Sequence, residues 1–258
     1  MLRKGFVAGL LLLFMLPFGY LPLLSLATSW RFPALWPDGL TRTHWTDLSS
    51  SGGNWATSAA TSLLLATVVG LASTLAGFLT AQQLATHPRR RLWLILAYFP
   101  YAFSPVIYAH CLKFFFHVSD LSGTIPGVLL AQFILTYPFA ILLFFNHFDH
   151  TLRAMESLTY TLGGSARAAF WRVLVPISRP VLLICFFQTF LISWFEYGLT
   201  AVIGLGQVRT LTIAVYQYIG EANAFVAALA SCLVILPPLL LLWLNQRFVG
   251  LVGVKEGG

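Results

Sequence analysis

The chain has 258 residues, 58% hydrophobic and 9% charged, with a formal net charge of +7. Water-soluble domains carry about 25% charged residues, so a soluble globular domain is excluded. The basic residues sit in short stretches between apolar runs of about twenty residues, which match the hydrocarbon thickness of a bilayer and leave no nucleic-acid-binding surface.

The sequence therefore predicts an all-α, polytopic membrane protein. Helices are the expected form because lipid offers no partner to open sheet edges. About six transmembrane helices are predicted, forming a single transmembrane domain over 1–258. The first, Gly5–Ala27, follows Arg3-Lys4; it exceeds a signal-peptide apolar core and contains Pro17 and Pro22, so it is read as retained. Gly5 and Gly9 offer a small-residue contact, a pattern common by chance in apolar sequence. Thr28–Ala56 follows, holding Trp30, Trp36, Trp45 and Trp55. These four fit either an interfacial aromatic belt or a docking surface for an extracytoplasmic partner.

The next predicted spans are Thr57–Ala81, Leu92–Phe116 and Ile125–Phe145. Pro100, Pro105 and Pro138 are expected to bend or interrupt helices. Lys113 can snorkel to the interface. Cys111, Cys185 and Cys232 are isolated in apolar runs and read as packing residues, with no C-x-x-C. His147 and His150 share a helix face but lack an evident third ligand, so no metal site is predicted. The last two spans are Val181–Ile203 and Ala224–Gln246, with "LTIAVYQYIG" between them as a short interfacial helix.

Arg3, Lys4, Arg89, Arg90, Arg91, Arg153, Arg167, Arg172, Arg179, Arg247 and Lys255 fall on one side of this scheme. Only Arg31, Arg42 and Arg209 fall on the other. The positive-inside rule places both termini in the cytoplasm, as an even number of spans requires.

The long cytoplasmic stretch, 148–180, contains "LGGSARAAFWRVLVPISRP". Arg153–Leu162 reads as a short helix stopped by Gly163-Gly164. Ser165 is placed to cap a second helix rich in alanine, with Arg167 and Arg172 in water. Pro176 and Pro180 are expected to punctuate the approach to the fifth span. Helix, tight turn, helix and proline make a stiff protrusion.

This segment resembles the EAA loop of binding-protein-dependent ABC importer permeases. That pattern runs Glu-Ala-Ala, then Gly after a three-residue spacer, then Ile-x-Leu-Pro after a spacer of nine. With Gly163 as the glycine, Val173, Val175 and Pro176 take the Ile, Leu and Pro positions. Ser157-Leu158-Thr159 stand where the family has Glu-Ala-Ala, with Glu156 immediately before them. "YFPYAFSPVIYAH", "LSGTIPGVLLAQFILTYPFAILL" and "FEYGL" also look like this family, so the resemblance extends over roughly Thr57 to Asn245.

The resemblance implies a type I importer permease fold, with a five-helix core in 57–246 and a coupling loop at 148–180. It implies a prokaryotic plasma membrane, the inner one in a cell with two. It also implies partners: a cytoplasmic ABC ATPase dimer, a second permease subunit, identical or related, and an extracytoplasmic solute-binding protein. Glu156, Ser157, Gly163, Gly164, Arg167, Val173, Val175 and Pro176 would form the ATPase-coupling surface. The chain carries no G-x-x-x-x-G-K-[ST], so ATP would be bound by the partner and no cofactor by this chain. No H-E-x-x-H or G-x-S-x-G occurs, and no enzymatic activity is expected.

Glu196 is the one acidic residue well inside a predicted span. A charge there costs at least about 3 kcal/mol on insertion scales, so it should face a cavity or a partner. With Tyr197 it is a substrate-pathway candidate; the other reading is a hydrogen-bonded helix contact. Gln82, Gln83, Gln132 and Gln188 are too scattered in sequence to define a site. An ion-coupled secondary transporter is the alternative function; it predicts internal repeats and more intramembrane charge.

Overall fold

The computed structural model describes residues 2–30, 33–50, 54–148 and 150–253; Arg31 and Lys255 lie outside them. Among the described residues there is no strand, only an isolated antiparallel bridge between Ala27 and Leu40. The chain divides into two compact units, residues 1–62 with 209–245, and residues 63–208 with 246–258.

The first unit holds α1 (Leu2–Ser25), α2 (Thr43–Ser50), the first turns of α3 (Asn54–Thr86), α11 (Leu211–Gly220) and most of α12 (Ala224–Gly253). After α1 the chain doubles back. Thr28 N–H donates to Gly39 O at 3.0 Å, and the Trp45 indole N–H donates to Ser25 Oγ at 3.2 Å. The Trp30 indole N–H is spent on Ala34 O, while Trp36 is left exposed. Two of the four tryptophans of this loop thus fasten its own backbone and the end of α1.

The second unit contains the rest of α3, then α4 (Arg90–Tyr98), a 3₁₀ turn (Phe99–Ala102), α5 (Pro105–Val118), α6 (Ile125–His147) and α7 (His150–Thr161). α8 (Ala166–Ala169), a π-turn (Phe170–Leu174), α9 (Val175–Trp194) and α10 (Gly198–Gly204) complete it. Lipid tails are as apolar as leucine, so helices in a bilayer associate by close approach of small residues rather than by a hydrophobic drive. That device is present. A Cβ built on Gly77 of α3 would lie 2.5 Å from Ala140 Cβ of α6, and one on Gly70 would lie 3.3 Å from Phe190 N of α9. Around the Gly77 crossing, Phe78, Ala81 and Ala85 pack with Ala140, Phe144, Phe148, Leu152, Leu174 and Cys185. A second cluster joins Leu65 to α5, α6 and α10 through Ala109, Val128, Ala131 and Leu199.

Four helices are long and apolar enough to cross a bilayer: Trp55–Thr86, Ile125–His147, Ala166–Trp194 and Ala224–Leu241. A fifth crossing is obtained if Arg90–Ala102 and Pro105–Val118 count as one broken span. The chain is thus an all-helical, multi-pass membrane protein with four or five such helices among its described residues. α1 is a further 24-residue helix, many of whose side chains lie outside the described residues.

The interruption expected at Pro100 and Pro105 is present: the span predicted at Leu92–Phe116 is two helical pieces bent by 102°. Pro100 sits in the 3₁₀ turn and Pro105 opens α5, lacking the N–H that would continue a helix. Ser104, forced away from helical angles by the proline after it, is extended at φ −60° and ψ 141°. The fifth predicted span is corrected: it is not Val181–Ile203. Its helix starts at Ala166, runs to Trp194 and breaks there, with α10 as a separate short piece. Pro176 and Pro180 do not interrupt it. The wide turn before Pro176, closed by the Val175 N–H on Phe170 O, accommodates its lost hydrogen bond, and Pro180 lies inside α9.

Candidate functional site

The protrusion at 148–180 is built locally. α7 ends in a double hydrogen bond: Gly164 N–H donates to Thr159 O at 2.9 Å, and Gly163 N–H to Tyr160 O at 3.0 Å. This is a Schellman closure, and it requires a left-handed residue, which Gly163 supplies at φ +78°. Gly164 is constrained differently, since a Cβ there would lie 2.7 Å from Thr159 Cγ2. Ser165 then caps α8, its Oγ accepting from Ala168 N–H at 3.2 Å. The sequence reading of turn and cap is matched residue for residue.

The protrusion is anchored at both ends. Leu152 from α7 and Leu174 from the π-turn are buried in the Phe78–Phe144 cluster. Glu156 Oε1 accepts from Gln82 Nε2 on α3 at 3.3 Å and from the Tyr160 hydroxyl at 3.2 Å. Partial desolvation, then the Glu156 carboxylate, raise the Tyr160 phenol above its ordinary value. Ser157 and Arg167 are exposed; Val173, Val175 and Pro176 are half-buried where the π-turn meets α9. On the outer side of the turn, Leu158 and Leu162 are 59% and 80% exposed, with Met155 and Trp171 exposed beside them. These four apolar side chains are left uncovered by the rest of the chain.

The second arrangement lies inside the bundle. Glu196 is 8% exposed. Its carboxylate accepts from Leu199 N–H at 2.9 Å, Thr200 N–H at 3.0 Å and the Thr200 hydroxyl at 3.1 Å. These are the orphan donors at the start of α10, so Glu196 terminates the α9 run and caps the next helix in one residue. Tyr197 is the N-cap residue, at φ −110° and ψ −46°. Gly198 lets α10 start against α5, since a Cβ there would sit 2.7 Å from Val106 Cγ2.

From Glu196 a polar chain runs on. Thr200 Oγ1 receives Gln132 Nε2 at 2.9 Å, and Gln132 Oε1 receives the Ser193 hydroxyl at 2.5 Å. One turn along α6, the Ser73 and Thr136 hydroxyls are 2.6 Å apart. Sequence reasoning passed over Gln132 as one of several scattered glutamines, yet it is the hub joining α6, α9 and α10. The Gln132–Thr136 spacing on one helix face was the available signal. His147, considered as a metal ligand, places Nε2 2.8 Å from Ser178 Oγ instead. His150 is placed in α7, but its side chain lies outside the described residues.

These features define a multi-pass helical membrane protein with a stiff, partly apolar protrusion and a hydrogen-bonded break in one long helix. No known family model matches the chain, and no curated protein matches it.

Proposed function

We propose that this chain is the transmembrane permease subunit of an ATP-driven, solute-binding-protein-dependent importer. In this reading it sits in a prokaryotic plasma membrane and pairs with a second permease, identical or related. The 148–180 protrusion docks on a separate cytoplasmic ATPase, and ATP-driven closure of the ATPase dimer moves the permease helices. The observation that carries the reading is the protrusion itself: a Gly163 turn held by two backbone hydrogen bonds, anchored through Leu152 and Leu174, with Leu158 and Leu162 exposed. The spacing from Gly163 to Pro176 adds the resemblance to the EAA loop. The buried, capped state of Glu196 supports its use as a structural joint rather than a cargo ligand.

The test is to purify the tagged chain from its own host in mild detergent and identify co-purifying proteins by mass spectrometry. A P-loop ATPase is expected, and it should be lost with Gly163→Arg and with Leu158→Glu. Recovery of the chain alone, supporting uptake driven by an ion gradient without ATP, would overturn the proposal in favour of a secondary transporter.

A further inference from the structure

A cleft of about 70 Å³ lies within the first unit, between the first turns of α3 and one face of α11. Trp55 and Ser58 line it from α3, Gln217 and Tyr218 from α11, and Arg209 from the segment just before α11. Its walls are preformed. The Trp55 and Tyr218 rings stack at 5.3 Å with 9° between their planes, and Leu211 N–H donates to Ser62 Oγ at 2.8 Å, pinning the start of α11 one turn below Ser58.

Two groups in this cleft are unspent. Ser58 is 6% exposed, yet its hydroxyl has no hydrogen-bond partner among the described residues. Buried hydroxyls are normally satisfied, and one that opens on a cleft is a donor waiting for an acceptor. Arg209 has no ion-pair partner among the described residues and is one of only three basic residues on its side of the topology read from the sequence. Gln217 donates one amide hydrogen to Glu221 Oε1 at 3.0 Å, which fixes the amide and leaves its second N–H. A cation, a hydroxyl and an amide N–H lining one small space are a donor set that selects an oxyanion. The room decides its size: drug-sized ligands need pockets of about 300 Å³ or more, so only the anionic head group fits.

We propose that this cleft binds a phosphate group, with Arg209 supplying charge, Ser58 and Gln217 supplying donors, and the Trp55–Tyr218 pair forming the wall. Free phosphate and the phosphodiester of a lipid headgroup share this chemistry. The site does not depend on the transport reading.

The experiment is a tryptophan-fluorescence titration of the full chain in neutral detergent, at ionic strength held constant with chloride. One arm uses inorganic phosphate and the other dihexanoyl phosphatidylglycerol. A saturable change is expected, with Kd weakened on the order of 10-fold or more in Arg209→Gln and severalfold in Ser58→Ala. Trp55→Phe, which keeps an aromatic wall, should remove most of the signal and so place it at the cleft. Saturation with the lipid alone assigns a headgroup site; saturation with inorganic phosphate assigns a site for the free ion. Saturation with neither probe, or equal affinity in Arg209→Gln with an unchanged melting temperature, overturns the proposal.

Discussion

Replacing Gly163 by valine should loosen the protrusion without unfolding the bundle. The glycine sits at φ +78°, and a Cβ built on it meets nothing within 4 Å. The added Cβ therefore meets no clash, and the cost assigned to the substitution is that of the left-handed backbone, roughly 1–2 kcal/mol for an ordinary L-residue. Asparagine visits this region with much less penalty, so Gly163→Asn should cost well under 1 kcal/mol, about tenfold less than valine in equilibrium terms. The strain bears on the two hydrogen bonds that close α7, from Gly164 to Thr159 and from Gly163 to Tyr160. Hydrogen–deuterium exchange of a peptide covering 158–166 reads them directly. Exchange should be about tenfold faster in Gly163→Val than in the native chain and close to native in Gly163→Asn. Residues 140–148, inside the Phe78–Phe144 cluster, should be unchanged. Equal protection in all three chains would mean the left-handed turn is not what holds the loop. Equal acceleration in the core would mean the effect is global, and the local argument would fail.

Two further substitutions probe the bundle. Gly77→Ala places a methyl 2.5 Å from Ala140 Cβ and should lower the unfolding midpoint by an overpacking cost of about 1–3 kcal/mol. Adding Ala140→Gly should return part of it; a native midpoint in the single variant would contradict the close crossing. Glu196→Ala leaves the Leu199 and Thr200 N–H groups unpaired in a buried site, at about 1–3 kcal/mol, while Glu196→Gln keeps a carbonyl acceptor and should lose less. Thermal unfolding in detergent that ranks glutamine no better than alanine would remove the capping role.

What could be read from the sequence was local. Apolar runs of bilayer length announced the helices, and Gly163, Gly164 and Ser165 announced a turn and a cap because each acts through its own backbone neighbourhood. Pro100 and Pro105 announce a break in the third span but not its 102° angle, because hydropathy runs unbroken across the bend and cannot report direction. The length of the α8–α9 helix escaped for the opposite reason. Pro176 and Pro180 read as punctuation, but a wide turn absorbs Pro176 and the helix carries Pro180 within it. Gln132 escaped because its partners Ser193 and Thr200 lie 61 and 68 residues away in the chain, a pairing that only the packed bundle reveals. The Ser58–Arg209 cleft is hidden in the same way, its two sides brought together by the Ser62–Leu211 hydrogen bond.

The π-turn has a mechanical consequence. By absorbing Pro176 it lets Ala166–Trp194 persist as one helix of 29 residues, a rod of about 43 Å at 1.5 Å per residue. Its basic end carries Arg167 and Trp171, and its other end stops at the Glu196 joint. Pivoting about its middle by about 5°, such a rod displaces each tip by about 2 Å in opposite directions. Were the rod to pivot so, a push on the Ser165 turn would reach Glu196 with its sense reversed, as on a beam balanced at its centre.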